Sequence, residues 1–267
     1  MIEKPIKSHL PAVKAAILDM DGVLWRGLEP IGDLPFIFSR IASLGWQVAF
    51  ATNNTTRTVS QYVEVLREFG VAVDPEQIVT SGVASGNYLK RKYDGGSEIF
   101  IIGEQALLDT LAAFGFNPGE YAPKAVVVGL DRQLTFGRLA VASRFIRSGC
   151  EFIGTNPDPT LPTPDGLIPG TGSILAALRT STGVEPTIIG KPYPELFRIA
   201  LDRLGTMPGE TLVIGDQIET DIAGGIAAGC LTALVLTGVT TAEVAAASQF
   251  NPTFIAANIE SLLKHFL

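Results

Sequence analysis

The stretch AAILDMDGVLWRG, residues 15–27, decides how the rest of the chain is read. Ala15 to Leu18 form an apolar run with the length and composition of a buried strand. The run breaks off into Asp19 and Asp21, one residue apart and followed by Gly22. In extended backbone, residues i and i+2 point the same way, so both carboxylates can face one spot past the strand end. Their mutual repulsion is tolerable where a cation neutralises it. The competing account is a turn, since Asp tolerates turn conformations and Asp-Gly is a turn dipeptide. The choice rests on what the rest of the chain brings to the same place.

Working outward, apolar runs rich in β-branched residues alternate with helical patterns along the chain. The strand candidates are AAILD, QVAFAT, EIFIIG, AVVVGL, EFIGTN, PTIIGK, TLVIGD and TALVLTG. Alternation of this kind points to an α/β fold with a parallel sheet; the expected form is a doubly wound, Rossmann-like core. Between strands, TVSQYVEVLREFG has apolar residues at helical spacing; Thr58 with Gln61 reads as a capping box, and Gly70 ends the helix. Chemistry-bearing residues follow only the outer runs: Asp19 and Asp21, Thr52 and Asn53, Lys191, and Asp216. The middle runs, ending near Gly103 and Leu130, carry little. A core of residues 1–82 and 183–267 is therefore expected, with a smaller α/β domain, 83–182, inserted into it. The turn-rich stretches TSGVASG (80–86) and TSTGVEP (180–186) mark the boundaries.

Composition narrows the classes. At 267 residues, 46% hydrophobic and 18% charged, the chain is too apolar for disorder and long enough for a core with a second lobe. No uncharged apolar run reaches the roughly 18 residues of a membrane span. The first residues lack an apolar block before a cleavage site, so a cytoplasmic location is expected and no membrane partner. A net charge of −7 argues against nucleic acid as a partner. Cys150 and Cys230 are far apart and read as two free buried thiols. His9 and His265 sit at the two ends, poorly placed for a Ser-His-Asp or Cys-His mechanism.

In open parallel sheets, ligands bind beyond the carboxyl ends of the strands. There the acids Asp19, Asp21 and Asp216, with Asp221 five positions on, offer hard oxygen ligands without His or Cys, a set that selects Mg²⁺ over Zn²⁺. Lys191 is a point charge suited to phosphate oxygens, and Thr52 and the backbone N–H groups of TNNTT can add hydrogen bonds. A carboxylate beside Mg²⁺ that faces such a phosphate site can attack phosphorus and form an aspartyl-phosphate. PGTGS (169–173) lacks the lysine of a Walker motif and reads as a turn into a helix. In TNPDPTLP (155–162), Asn156 and Asp158 either face a substrate or satisfy local turn hydrogen bonds. Trp25 and Arg26 either line an entrance or, for Trp25, pack in the core.

DMDGVLWRG, ATNNTTRT, IIGKPYPELF and VIGDQIETDI resemble, in order, the four motifs of the haloacid dehalogenase superfamily. FIGTNPDPTLPTPDGLIPGTGSI resembles its nitrophenylphosphatase, NagD-like branch, whose large C2-type cap lies between the second and third motifs. The resemblance runs from about Ala15 to about Gly238. It implies a Mg²⁺-dependent phosphatase of small phosphomonoesters, with Asp19 as nucleophile and Asp21 as general acid/base. It further implies Mg²⁺ held by Asp19, the Asp21 carbonyl and Asp216, with Asp221 supporting from outside. Thr52, Asn53 and Lys191 would hold the phosphoryl group. Asn156, Asp158, Trp25 and Arg26 are then candidates for substrate choice. The sequence leaves the oligomer open, and an apolar cap face could support a homodimer. Two other readings stand beside this one: a phosphotransferase or mutase on the same scaffold, and a catalytically silent sensor of a phosphometabolite. A hydride-transfer enzyme is disfavoured, because no G-x-G-x-x-G follows the first strand. The motifs do not choose among a nucleotide, phosphoglycolate, a sugar phosphate and a coenzyme phosphate.

Overall fold

The computed structural model describes residues 12–27, 29–163 and 166–266, so His9 lies outside the described residues. The chain divides into two compact units. The first takes the described residues up to Thr52, Val59–Val79 and those from Lys191 onward; the second takes Asn53–Thr58 and Thr80–Gly190.

The chain opens with β1 (Ala15–Leu18), a small antiparallel hairpin of β2 (Trp25–Arg26) and β3 (Glu29–Pro30), then β4 (Gln47–Thr52) and β5 (Ile78–Thr80). Seven strands follow: β6 (Glu98–Ile102), β7 (Asn117–Pro118), β8 (Ala125–Val128), β9 (Glu151–Gly154), β10 (Thr160–Thr163), β11 (Gly166–Pro169) and β12 (Thr187–Ile188). The chain closes with β13 (Thr211–Gly215), β14 (Leu231–Val235) and β15 (Phe254–Ala256).

In the first unit the sheet order is β15-β14-β13-β1-β4-β5. β1 runs parallel to both neighbours, with Leu18 opposite Ile214 on one side and Phe50 on the other. The chain thus fills one half of the sheet, leaves, and returns to fill the other half next to β1. That is a doubly wound α/β core, and its topological switch lies where β1 meets β13. All of β1 is buried, as a strand paired on both edges requires. The core beneath it includes Trp25, Phe50, Tyr62 and Leu66. The helix expected in TVSQYVEVLREFG spans Val59–Glu68, and Gly70 follows with φ 78°.

The second unit is α/β as well, with parallel pairing in the order β12-β9-β8-β6-β7 over a core that includes Phe100, Val126, Phe152 and Leu175. TSGVASG is not turn-rich connection but the start of a helix, Ser81–Lys90, capped by the Thr80 side chain accepting from Val83 N at 3.1 Å. Its small residues serve packing: a Cβ on Gly86 would stand 2.4 Å from the Phe114 ring. PTIIGK supplies only a two-residue strand, β12, which pairs with β9, so Lys191 does not cap a strand of the first unit's sheet. PGTGS is the expected turn: Gly170 precedes the helix Thr171–Thr182, and a Cβ on Gly172 would come 2.2 Å from the Pro157 carbonyl. Both cysteines are free, but each is half-buried rather than buried. Among the described residues, no helix is long and apolar enough to cross a membrane.

Candidate active site

Asp19 leaves the end of β1 with its N–H donating to Ile214 O at 2.9 Å, so it is still held by the sheet. The chain then turns sharply. Met20 O accepts from Leu24 N at 2.8 Å, Gly22 N donates to Trp25 O at 2.7 Å, and Gly22 takes φ +83°, which favours glycine. Asp19 is buried, whereas Asp21 is exposed, so the two aspartates have different surroundings despite their spacing.

Asp216 follows β13 in the same way that Asp19 follows β1. Its Oδ2 accepts from Val239 N at 2.7 Å, and its carbonyl accepts from Thr240 N at 3.1 Å. Two glycines make room for this carboxylate. A Cβ on Gly22 would lie 2.6 Å from Asp216 Oδ2, and one on Gly238 would lie 1.8 Å away. Asp216 Oδ1 is buried and accepts no hydrogen bond. Gly238 and the Val239 N–H went unnoticed in the sequence; the Gly after the β14 run was their only trace.

Lys191 brings the cluster together. Its Nζ donates to Asp19 Oδ1 at 2.5 Å, Asp221 Oδ1 at 2.7 Å and Ala51 O at 3.0 Å. Three acceptors match the three ammonium hydrogens. Asp221 sits in the helical turn Ile218–Ile222, where Oδ2 accepts from Gln217 N at 3.0 Å. Both Asp221 oxygens are therefore engaged within the protein. Thr52 ends β4, beside β1, and is buried.

The electrostatics follow from burial. Desolvation pushes the Asp19 carboxyl well above its usual range; Lys191 opposes this, while Asp221 and Asp216 add to it. Desolvation and Asp221 push Asp216 up to about 7, against the Val239 N–H. For Lys191, burial works against the charge, but Asp19 and Asp221 outweigh it and hold the ammonium above its usual range. The site thus carries more negative charge than one lysine comfortably neutralises.

A divalent cation fits this donor set. Oxygens of Asp19, Asp216 and Asp221 all lie within 4.8 Å of one another, and Asp216 Oδ1 is an orphaned buried acceptor. The donors are all hard oxygens, which suit Mg²⁺ or Ca²⁺. Because Lys191 and Gln217 N occupy Asp221, Asp19 and Asp216 are the side chains best placed to bind it.

The remaining candidates separate. Asn53 belongs to the second unit, where its Nδ2 donates to Asp158 Oδ2 at 3.1 Å, and Asn156 Nδ2 donates to the same oxygen at 2.6 Å. Asn53, Asn156 and Asp158 thus form one polar group. Trp25 is fully buried and stacks on Tyr62, which decides for core packing over a place at an entrance. An indole with no exposed surface cannot line an opening. Arg26 is exposed and donates to Thr237 O; Thr237 Oγ1 in turn donates to Gly22 O at 2.6 Å.

A family model described as haloacid dehalogenase-like hydrolase matches residues 16–117, and a second, HAD-hydrolase-like, matches 188–262. The chain is 37% identical over 240 residues to the 5'-nucleotidase YutF of Bacillus subtilis, covering 90% of this chain and 93% of that protein. A 4-nitrophenylphosphatase from Thermotoga maritima superposes with a TM-score of 0.91 at 31% identity, covering 96% and 98% of the two chains. A glycerol phosphate phosphatase from Mycobacterium tuberculosis, solved in complex with magnesium, gives a TM-score of 0.86 at 35% identity, covering 95% of this chain and 78% of that one. The same mycobacterial protein has also been solved in complex with calcium.

Proposed function

The chain belongs to the haloacid dehalogenase-like hydrolases, and we propose that it hydrolyses small phosphomonoesters with Mg²⁺ through an aspartyl-phosphate on Asp19. One observation carries the reading. Asp19 stands at the switch point of the sheet with Lys191 on one oxygen and the orphaned Asp216 Oδ1 beside it. The similar proteins support the substrate class, because a 5'-nucleotidase, a nitrophenylphosphatase and a glycerol phosphate phosphatase share only a phosphomonoester.

In this reading Lys191 holds Asp19 Oδ1 and leaves Oδ2 to attack phosphorus. The bond from Oδ2 to phosphorus forms as the ester P–O bond breaks, and Asp21 gives its proton to the departing oxygen. Asp21 then takes a proton from water as the water attacks phosphorus, and Asp19 is released with inorganic phosphate. Asp19, Asp216 and the Asp21 carbonyl would hold the cation, with Asp221 steadying Lys191. When bound, the metal supplies charge neutralisation for the phosphoryl oxygens and the crowded carboxylates. Thr52, Asn53 and Lys191 are assigned to the phosphoryl group. The inserted domain, 83–182, is assigned to substrate choice as a cap, with Asn156, Asp158 and Arg26 as candidate contacts.

The test is single-turnover trapping with labelled substrate. Wild type should accumulate acid-stable label on the protein in the presence of Mg²⁺, and Asp19→Asn should accumulate none and show no turnover. Phosphoenzyme in Asp19→Asn would overturn the assignment. Release of inorganic phosphate, rather than transfer to an added alcohol, separates the hydrolase from a phosphotransferase.

A further inference from the structure

We propose that Trp25 is a positioning residue for Asp21, holding one carboxylate oxygen so that the proton leaves from the other. The proposal rests on the reading of Asp21 as general acid. Trp25 Nε1 donates to Asp21 Oδ1 at 2.9 Å. The indole is fully buried, with its ring stacked on Tyr62 at 6.3 Å between centroids and tilted against Phe69 at 5.9 Å. Packing on two rings fixes where the N–H points. Asp21 is exposed, and an exposed carboxylate on a turn samples several rotamers unless something holds it. The backbone reinforces the link: Gly22 N donates to Trp25 O at 2.7 Å, and Trp25 N, like Leu24 N, points to Met20 O.

An indole N–H is a donor only. While it occupies Oδ1 as an acceptor, a protonated Asp21 carries its hydrogen on Oδ2. The acid then delivers from one atom in one orientation, which is what positioned proton transfer requires. In the other direction, Asp21 satisfies an N–H that burial would otherwise leave costly. A purely structural role for the pair would end there, and the leaving group distinguishes the two.

The experiment compares kcat/KM for glycerol phosphate and for 4-nitrophenyl phosphate, each with Mg²⁺ present. This ratio reports steps up to the first irreversible one, before water attacks the phosphoenzyme. An alkoxide needs the proton to leave, and nitrophenolate does not. Trp25→Phe keeps an aromatic ring in the core and removes the N–H. It should lower kcat/KM for glycerol phosphate ~10- to 100-fold, a part of what general acid catalysis is worth. The value for 4-nitrophenyl phosphate should change less than about threefold, which also shows that the variant is folded. Benzothienylalanine at position 25, which keeps the bicyclic shape and lacks the N–H, should give the same selective loss where Trp25→Phe does not fold. Equal losses on both substrates, or none, with the isosteric replacement would overturn the proposal. Asp21→Asn run in parallel should lose ~10²–10⁴ on glycerol phosphate and far less on the aryl ester. If Asp21→Asn lacks that selectivity, the general-acid reading itself fails and the proposal falls with it. If it has that selectivity and the Trp25 variants do not, only the Trp25 proposal fails.

Discussion

Lys191 is the residue on which the site's balance turns. Its ammonium is nearly inaccessible and lies between Asp19 and Asp221 at 2.5 and 2.7 Å. Removing one member of a buried ion cluster leaves the others unneutralised, at a cost of about 3–5 kcal/mol. Lys191→Met should lose that much stability in urea unfolding without divalent metal, and should lose activity. Added Mg²⁺ should narrow the stability deficit, since it neutralises the same carboxylates. An unchanged unfolding midpoint without metal would show that the cluster is neutralised some other way. The sequence announced Lys191 by its place in IIGKP, but not its partners. An ammonium between Asp19 and Asp221 joins residues more than a hundred positions apart, and no local pattern encodes that.

At the scale of elements, the site depends on two turns as much as on strands. The turn after β1 and the segment after β14 meet at Asp216, and each offers a glycine there. Gly238→Ala would drive a Cβ to 1.8 Å from Asp216 Oδ2, so the carboxylate or the segment must move. Mg²⁺ affinity, measured by titration calorimetry, should fall at least about tenfold, as perturbed support around metal ligands does. Gly209→Ala is the control: its Cβ would meet nothing within 4 Å, and binding should be unchanged. Equal binding in both variants would mean that Asp216 does not contribute to the site. The long buried strands were legible because apolar runs of that length leave few alternatives. β5 and β15 were not, being three-residue strands at the sheet edges with little pattern. The start of the helix Ser81–Lys90 reads as a turn-rich boundary in TSGVASG, because Gly and Ser mark close helix packing as readily as loops.

For the whole molecule, the buried acids couple stability to pH. An unfolded Asp titrates near its ordinary value of 3.8, whereas Asp216 in the fold is pushed up to about 7 and Asp19 is raised as well. Between those values the folded chain binds more protons than the unfolded one. Their contribution is present below about pH 4 and is lost as pH rises through about 7. Lys191, held above its usual range despite its burial, stays charged across this window. The metal-free melting temperature should therefore fall between pH 5 and pH 8. Metal replaces those protons, so it should bind more tightly at the higher pH. At a hundredfold excess over Kd, Mg²⁺ should add ~2.7 kcal/mol. Calorimetric melts at one Mg²⁺ concentration should show a larger gain at pH 8 than at pH 5. An equal gain at both would separate the metal from these carboxylates.

The sequence alone determined the α/β class and the doubly wound core. It also singled out Asp19, Asp21, Thr52, Lys191 and Asp216, because strand ends, charge and spacing are local signals. Only the tertiary structure decided which contacts those residues make. It tied Lys191 to Asp19 and Asp221, left Asp216 Oδ1 without a hydrogen bond, and joined Asn53 to Asp158. It also buried Trp25 with its N–H on Asp21. The reason is physical: a buried donor or acceptor must be matched in space, and the match is made by chain segments whose meeting is set by sheet order, not by sequence distance.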